Sequence, residues 1–191
     1  MAADSKSCFP AGGPGEYSAE ERVLLLRLAH DSIAAALADQ DLDLTPPNPH
    51  LAEHRGAFTT LHLEHQLRGC VGYVVPLYSL YRTIAETAVA AAFSDTRFAP
   101  VTAGEAPQLK IEISVLSLLS PIEPEAVEVG KHGLIVGLGG RRGLLLPQVP
   151  IEHGWDRETF LEQTCFKAGL PPDAWKHGAQ LEAFTAEVFG E

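Results

Sequence analysis

Residues 56–73 read Gly56-Ala57-Phe58-Thr59-Thr60-Leu61-His62-Leu63-Glu64-His65-Gln66-Leu67-Arg68-Gly69-Cys70-Val71-Gly72-Tyr73. Phe58 to Leu61 favour strand, and the polar run Glu64-His65-Gln66 supplies a turn, so the stretch predicts a β-hairpin. If Leu63 opposes Leu67, Leu61 faces Gly69 and Thr59 faces Val71. Leu61, Leu63, Leu67 and Val71 then share one buried face. Phe58, Thr60, His62, Arg68 and Cys70 share the other, with Thr60 opposite Cys70 and His62 opposite Arg68. A register shifted by one would bury Arg68 among the leucines and is rejected. Two glycines around a cysteine are unusual inside a strand and point to close approach by a backbone or ligand.

Outward from this hairpin the elements alternate. Ser18-Ala19-Glu20-Glu21 forms a capping box, and the helix after it carries Val23, Leu24, Leu26, Leu28, Ile33 and Leu37 on a broad apolar face, ending near residues 39–41. Thr45-Pro46-Pro47-Asn48-Pro49 is an extended linker. Pro76 is expected in the first turn of a second helix with Leu77, Leu80, Ile84, Ala88 and Ala91 as its core stripe. Leu109 to Leu118 alternates as a strand. His132 to Pro147 reads as a second hairpin around Gly139-Gly140-Arg141-Arg142-Gly143. Asp156 caps a helix bearing Phe160, Leu161, Thr164, Cys165 and Ala168, stopped by Gly169 and Pro171-Pro172. Residues 181–189 read as a last strand or extended segment. Direct hairpins demand antiparallel pairs, so the expected class is α+β, with an antiparallel sheet of about five or six strands flanked by helices. Residues 1–17, rich in Gly, Ala and Pro, are expected as a flexible tail before one domain over 18–189.

The chain has 191 residues, 46% hydrophobic and 20% charged, with a formal net charge of −11. An acidic chain lacks the basic footprint of a nucleic-acid binder, and no direct nucleic-acid contact is expected. No apolar run reaches membrane-spanning length, so no membrane role is expected. Three cysteines, Cys8, Cys70 and Cys165, at wide spacings fit reduced thiols in a cytoplasmic protein.

Several stretches resemble motifs of the AMMECR domain family, called AmmeMemoRadiSam system protein A in prokaryotes. Leu67-Arg68-Gly69-Cys70-Val71-Gly72 is similar to its LRGCIG hexapeptide. Ala91-Ala92-Phe93-Ser94-Asp95-Thr96-Arg97-Phe98 resembles AAFxDxRF, and Ile111 to Ser117 resembles IEISVLS. His132-Gly133-Leu134 with Gly143 to Val149 resembles HGL…GLLLPQV, and Gln163 to Leu170 resembles its late helix. The likeness runs from about Ser18 to Phe189. It implies a two-lobed α+β fold and company with a Memo-type protein and a radical SAM enzyme, with no settled reaction. One departure is the hairpin turn: the family usually has a glycine there, and Glu64-His65-Gln66 has none.

Cys70 is the leading chemical candidate. Arg68 would favour its thiolate and bind anions, and His62 would serve as base, giving a Cys–His pair. The alternative is a small thiol packed between glycines. Leu67, Gly69, Gly72, Glu112, His132 and Arg142 complete the expected ligand or partner surface, with Glu112 placed to orient Arg68. Cys165 is expected to pack in a core. His50, His54, His62 and His65 fall close in sequence but match no metal-ligand spacing, so no metal site is expected. Two functions follow: a non-catalytic accessory component docking its partners through the LRGCVG surface, or a cytosolic enzyme using Cys70 on a small molecule or modified peptide.

Overall fold

The computed structural model describes residues 15–191, which form two compact units: one holds the described residues up to Leu116 together with Glu187–Glu191, the other Ser117–Ala186. Cys8 and most of the expected tail lie outside the described residues.

In the first unit, helix α1 spans Ala19–Leu37 behind the Ser18 capping box, with the Ser18 hydroxyl accepting from the Glu21 N–H and Glu21 accepting from the Ser18 N–H. Its buried side is Leu25, Leu28, Ala29, Ser32 and Ile33, whereas Val23 is 66% exposed. The expected apolar face is therefore rotated. Strands β1 (Ala57–Leu63) and β2 (Gln66–Tyr73) make the hairpin. Helix α2 spans Leu80–Phe93 and is capped by the Ser79 hydroxyl. Pro76 stands ahead of it rather than in its first turn, and Leu77 is exposed rather than core. Strand β3 covers Lys110–Leu116. Ile111, Ile113, Val115 and Leu61 pack with Leu80, Ile84, Ala88 and Ala91 in one hydrophobic core. With β8 at Ala186–Gly190, the order in the sheet is β2-β1-β3-β8.

In the second unit, β4 (Ser120–Pro121), β7 (Gln180–Phe184), β5 (Gly133–Leu138) and β6 (Arg141–Leu145) form a sheet in that order. Helix α3 (Gln148–His153) was not legible, but α4 (Arg157–Lys167) matches the expected helix, with Asp156 accepting from the Thr159 N–H at 2.8 Å. Its Phe160, Leu161 and Cys165 close a second core with Leu134, Val136, Leu181 and Ala183. The class is α+β and antiparallel as read. Among the described residues its strands number eight in two sheets of four, because Ser120–Pro121, expected to end a strand, forms β4, and the last segment divides at Thr185 into β7 of the second sheet and β8 of the first.

Candidate functional site

The hairpin register agrees with the sequence reading at Thr59↔Val71, Thr60↔Cys70 and Leu61↔Gly69, and departs from it beyond Leu61. His62 pairs with Leu67 and Leu63 with Gln66, so Arg68 is the extra residue of a β-bulge. The turn has two residues, Glu64 (φ 51°) and His65 (φ 65°), both left-handed, as a tight primed hairpin turn requires. A two-residue turn changes the count by one, and the bulge restores the buried face. Thus His62 does not oppose Arg68, and the expected surface of thiol, imidazole and guanidinium is not assembled in that way.

Most of the hexapeptide serves the unit's own construction. A Cβ on Gly69 would lie 2.1 Å from the Ala91 carbonyl oxygen, so its bare backbone is what lets α2 lie against β2. The Phe58 ring covers Gly72 in the same manner. Arg68 grips the loop after α2. Its Nε and Nη2 donate to Glu105 at 3.1 and 3.2 Å, and its Nη1 and Nη2 donate to the carbonyls of Ala99 and Pro100 at 2.8 and 3.3 Å. Glu105, not Glu112, is the carboxylate that orients Arg68. The Arg68 hydrogen bonds, with those from the Thr102 N–H and hydroxyl, bring the Glu105 pKa down to about 2.

Cys70 is fixed through its backbone. Its N–H donates to Asp95 Oδ2 at 2.9 Å, and its carbonyl accepts from Arg97 Nη2 at 3.4 Å. Arg97 and Asp95 are themselves paired at 2.7 Å. The Arg97 hydrogen bonds hold the Asp95 carboxyl well below the usual range, burial opposing and the Cys70 N–H assisting. Two side chains thus stand in for a neighbouring strand on the outer edge of β2, a device that protects an edge from foreign pairing.

Across the sheet, Cys70, Thr60 and Glu112 form one row on β2, β1 and β3. The Thr60 hydroxyl donates to Cys70 Sγ at 3.2 Å. One pleat along, Ser114 pairs with Phe58. Its hydroxyl is on the same face, is 1% exposed as a residue, and has no hydrogen-bond partner. His62 pairs with Lys110 on β3, in the next row. With Leu63, Glu64, His65, Gln108, Lys110 and Glu191 it lines a cavity of about 480 Å³.

His132 and Arg142 belong to the second unit. His132 Nδ1 accepts from the Glu128 N–H at 3.0 Å, and burial lowers its pKa. Arg142 pairs with Glu182 beside the Gly139-Gly140 turn, and Arg141 donates to the Gly169 carbonyl. Cys165 is fully buried, and burial pushes its thiol pKa up, in keeping with packing. Among the described residues one trio could share a metal ion, Glu16, His50 and Glu53. Sequence reading gave no role to Asp95, Glu105 or Ser114. Asp95 and Arg97 carried a signal within the AAFxDxRF-like stretch, but nothing local linked them to Cys70.

The comparisons agree with one another. A family model described as AMMECR1 matches residues 26–189, spanning both units. Protein MK0488 of Methanopyrus kandleri is 42% identical over 184 residues, covering 90% of this chain and 89% of its own. A Thermococcus gammatolerans protein is 43% identical over 182 residues, covering 87% and 88%. The crystal structure of the uncharacterized protein PH0010 from Pyrococcus horikoshii has a TM-score of 0.74 at 40% identity, covering 93% of this chain and 94% of that one.

Proposed function

The chain belongs to the AMMECR1 family, and on that premise we propose that it is a non-catalytic binding component, meeting a protein partner on the sheet face that carries Cys70, Thr60, Glu112 and Ser114. Both units act as one AMMECR-type domain over residues 18–189, in the cytoplasm, and the partners are the Memo-type and radical SAM proteins that the family likeness implies. The observation that carries this reading is the row of Cys70, Thr60 and Glu112 across three strands, in which Cys70 and Glu112 are half-buried and reach solvent. Arg68, Gly69 and Gly72 support that face from within and do not themselves meet the partner.

The test is calorimetric titration of the chain with the Memo-type and radical SAM proteins of its own organism. Micromolar binding is expected to at least one of them. Glu112→Gln, at a half-buried side chain of that row, should weaken it roughly tenfold. Absence of binding to both, or unchanged affinity in Glu112→Gln, overturns the proposal.

The enzymatic reading is favoured by one contact, the Thr60 hydroxyl on Cys70 Sγ. It lacks the expected base, since the registered partners of His62 are Leu67 and Lys110. Iodoacetamide labelling against pH separates the two readings. Fast labelling of Cys70 with a midpoint well below about 8.5, the ordinary thiol value, would favour the activated thiol, with buried Cys165 as the inert control.

A further inference from the structure

We propose that Glu16, His50 and Glu53 bind a divalent transition-metal ion of the Zn²⁺ class. One ligand atom from each lies within 4.8 Å of the others, the spacing of donors that converge on one ion with bonds of about 2.0–2.2 Å after small side-chain adjustments. The reading departs from the sequence expectation of no metal. The three residues are spread over distant segments and match no ligand motif.

The histidine is arranged as metal-binding histidines are. Its Nδ1 lies 2.9 Å from Glu21 Oε1, and a carboxylate there fixes the ring with the proton on Nδ1 and the lone pair on Nε2. Glu21 is in turn held by the Ser18 N–H at 3.0 Å. Nε2 faces Glu16 Oε1 at 3.8 Å, too far for a hydrogen bond but suited to two ligands across an ion.

A separate observation comes from Tyr17. Its ring stacks on His50 with centroids 4.7 Å apart, the residue is 2% exposed, and its hydroxyl has no hydrogen-bond partner. Among the charged groups that act on this buried phenol are Arg55 and both donor carboxylates, Glu16 and Glu53. The phenol would serve as a further ligand or as a partner for an ion-bound water.

Charge completes the case. Arg55 pairs with both Glu16 and Glu53, and Arg22 pairs with Glu187. Two guanidinium groups thus face the four carboxylates Glu16, Glu21, Glu53 and Glu187, leaving a deficit that a divalent cation fills. Arg55 also holds the two donor carboxylates together, and each retains lone pairs beyond those it occupies. One imidazole with two carboxylates suits Zn²⁺ or Co²⁺ better than Mg²⁺. The ion would join the segment before α1 to the loop before β1. The same segment is already held from β8, where Glu187 accepts the N–H groups of Glu16 and Tyr17.

The experiment uses the full chain, stripped with chelator and titrated with Co²⁺ by visible absorption and with Zn²⁺ by calorimetry and thermal melting. One ion per chain, a Co²⁺ visible band and a melting temperature that rises with Zn²⁺ but not with Mg²⁺ are expected. His50→Phe keeps a ring to stack on Tyr17 and should abolish the Co²⁺ band. Glu53→Gln, at a half-exposed side chain, should weaken Zn²⁺ roughly tenfold or more and serves alone if His50→Phe does not fold. No ion bound, or equal affinity in the variants, overturns the proposal.

Discussion

Gly69 has no room for a side chain, and the reason is a backbone. The nearest atom to an added Cβ is the Ala91 carbonyl oxygen at 2.1 Å, followed by its carbon at 3.1 Å. A flexible side chain could turn away from such a contact, but a helix backbone must move as a body. Gly69→Ala should therefore cost about 3 kcal/mol, toward the upper end for overpacking. Gly104→Ala, where nothing lies within 4 Å of the added carbon, should stay within about 0.5 kcal/mol. Urea midpoints of the two variants measure the contrast. A similar loss in both would mean that chain entropy or loop effects, and not the approach of α2 to β2, set the value of Gly69.

At the scale of the element, β2 is an edge strand finished by side chains, and its hairpin turn carries strain. Asp95→Ala removes the acceptor of the Cys70 N–H. A loss of about 1–3 kcal/mol is expected for a partly buried donor left unpaired. Hydrogen exchange at the Cys70 amide should accelerate, while Thr59 and Leu61 on the central strand keep their protection. Equal acceleration at all three would mean global rather than edge loosening. The turn makes the opposite prediction. Glu64 and His65 both sit at positive φ, where residues with a Cβ are disfavoured by about 1–2 kcal/mol each. Replacing the pair by Asn-Gly, the residues such a turn favours, should raise stability by about 1 kcal/mol or more in urea unfolding. The residues that failed to announce this turn are also those whose strain the replacement relieves.

Across the whole molecule, what the sequence disclosed was what is local. Both hairpins, the Ser18 and Asp156 caps and the row pairing Thr60 with Cys70 follow from alternation and capping within a few residues. The division into two sheets does not, because β7 and β8 are separated by Thr185 alone and find partners far along the chain. The supports of the hexapeptide were hidden for the same reason: Asp95 lies 25 residues from Cys70, and Glu105 lies 37 from Arg68. Asp95, Glu105 and the capping residue Asp156 give the molecule its acid response. Asp95 is held well below its ordinary range first by Arg97, Glu105 is brought to about 2 first by Arg68, and Asp156 is lowered first by the Thr159 N–H. Each folded pKa lies below the unfolded one, so the unfolded chain takes up protons first as pH falls. Their stabilisation is complete above about pH 4.5, the ordinary glutamate value, and drains away toward pH 2. His132 acts with the same sign at higher pH, because burial lowers its pKa and stability falls as pH drops below its ordinary 6.5. Urea midpoints should thus decline slightly below pH 6.5 and steeply below pH 4.5. Glu105→Gln should be less stable than the parent at pH 7 and converge on it near pH 2, since protonation of Glu105 removes the same ion pair. Parallel curves for the two proteins down to pH 2 would place the acid response elsewhere than in the clamp on Arg68.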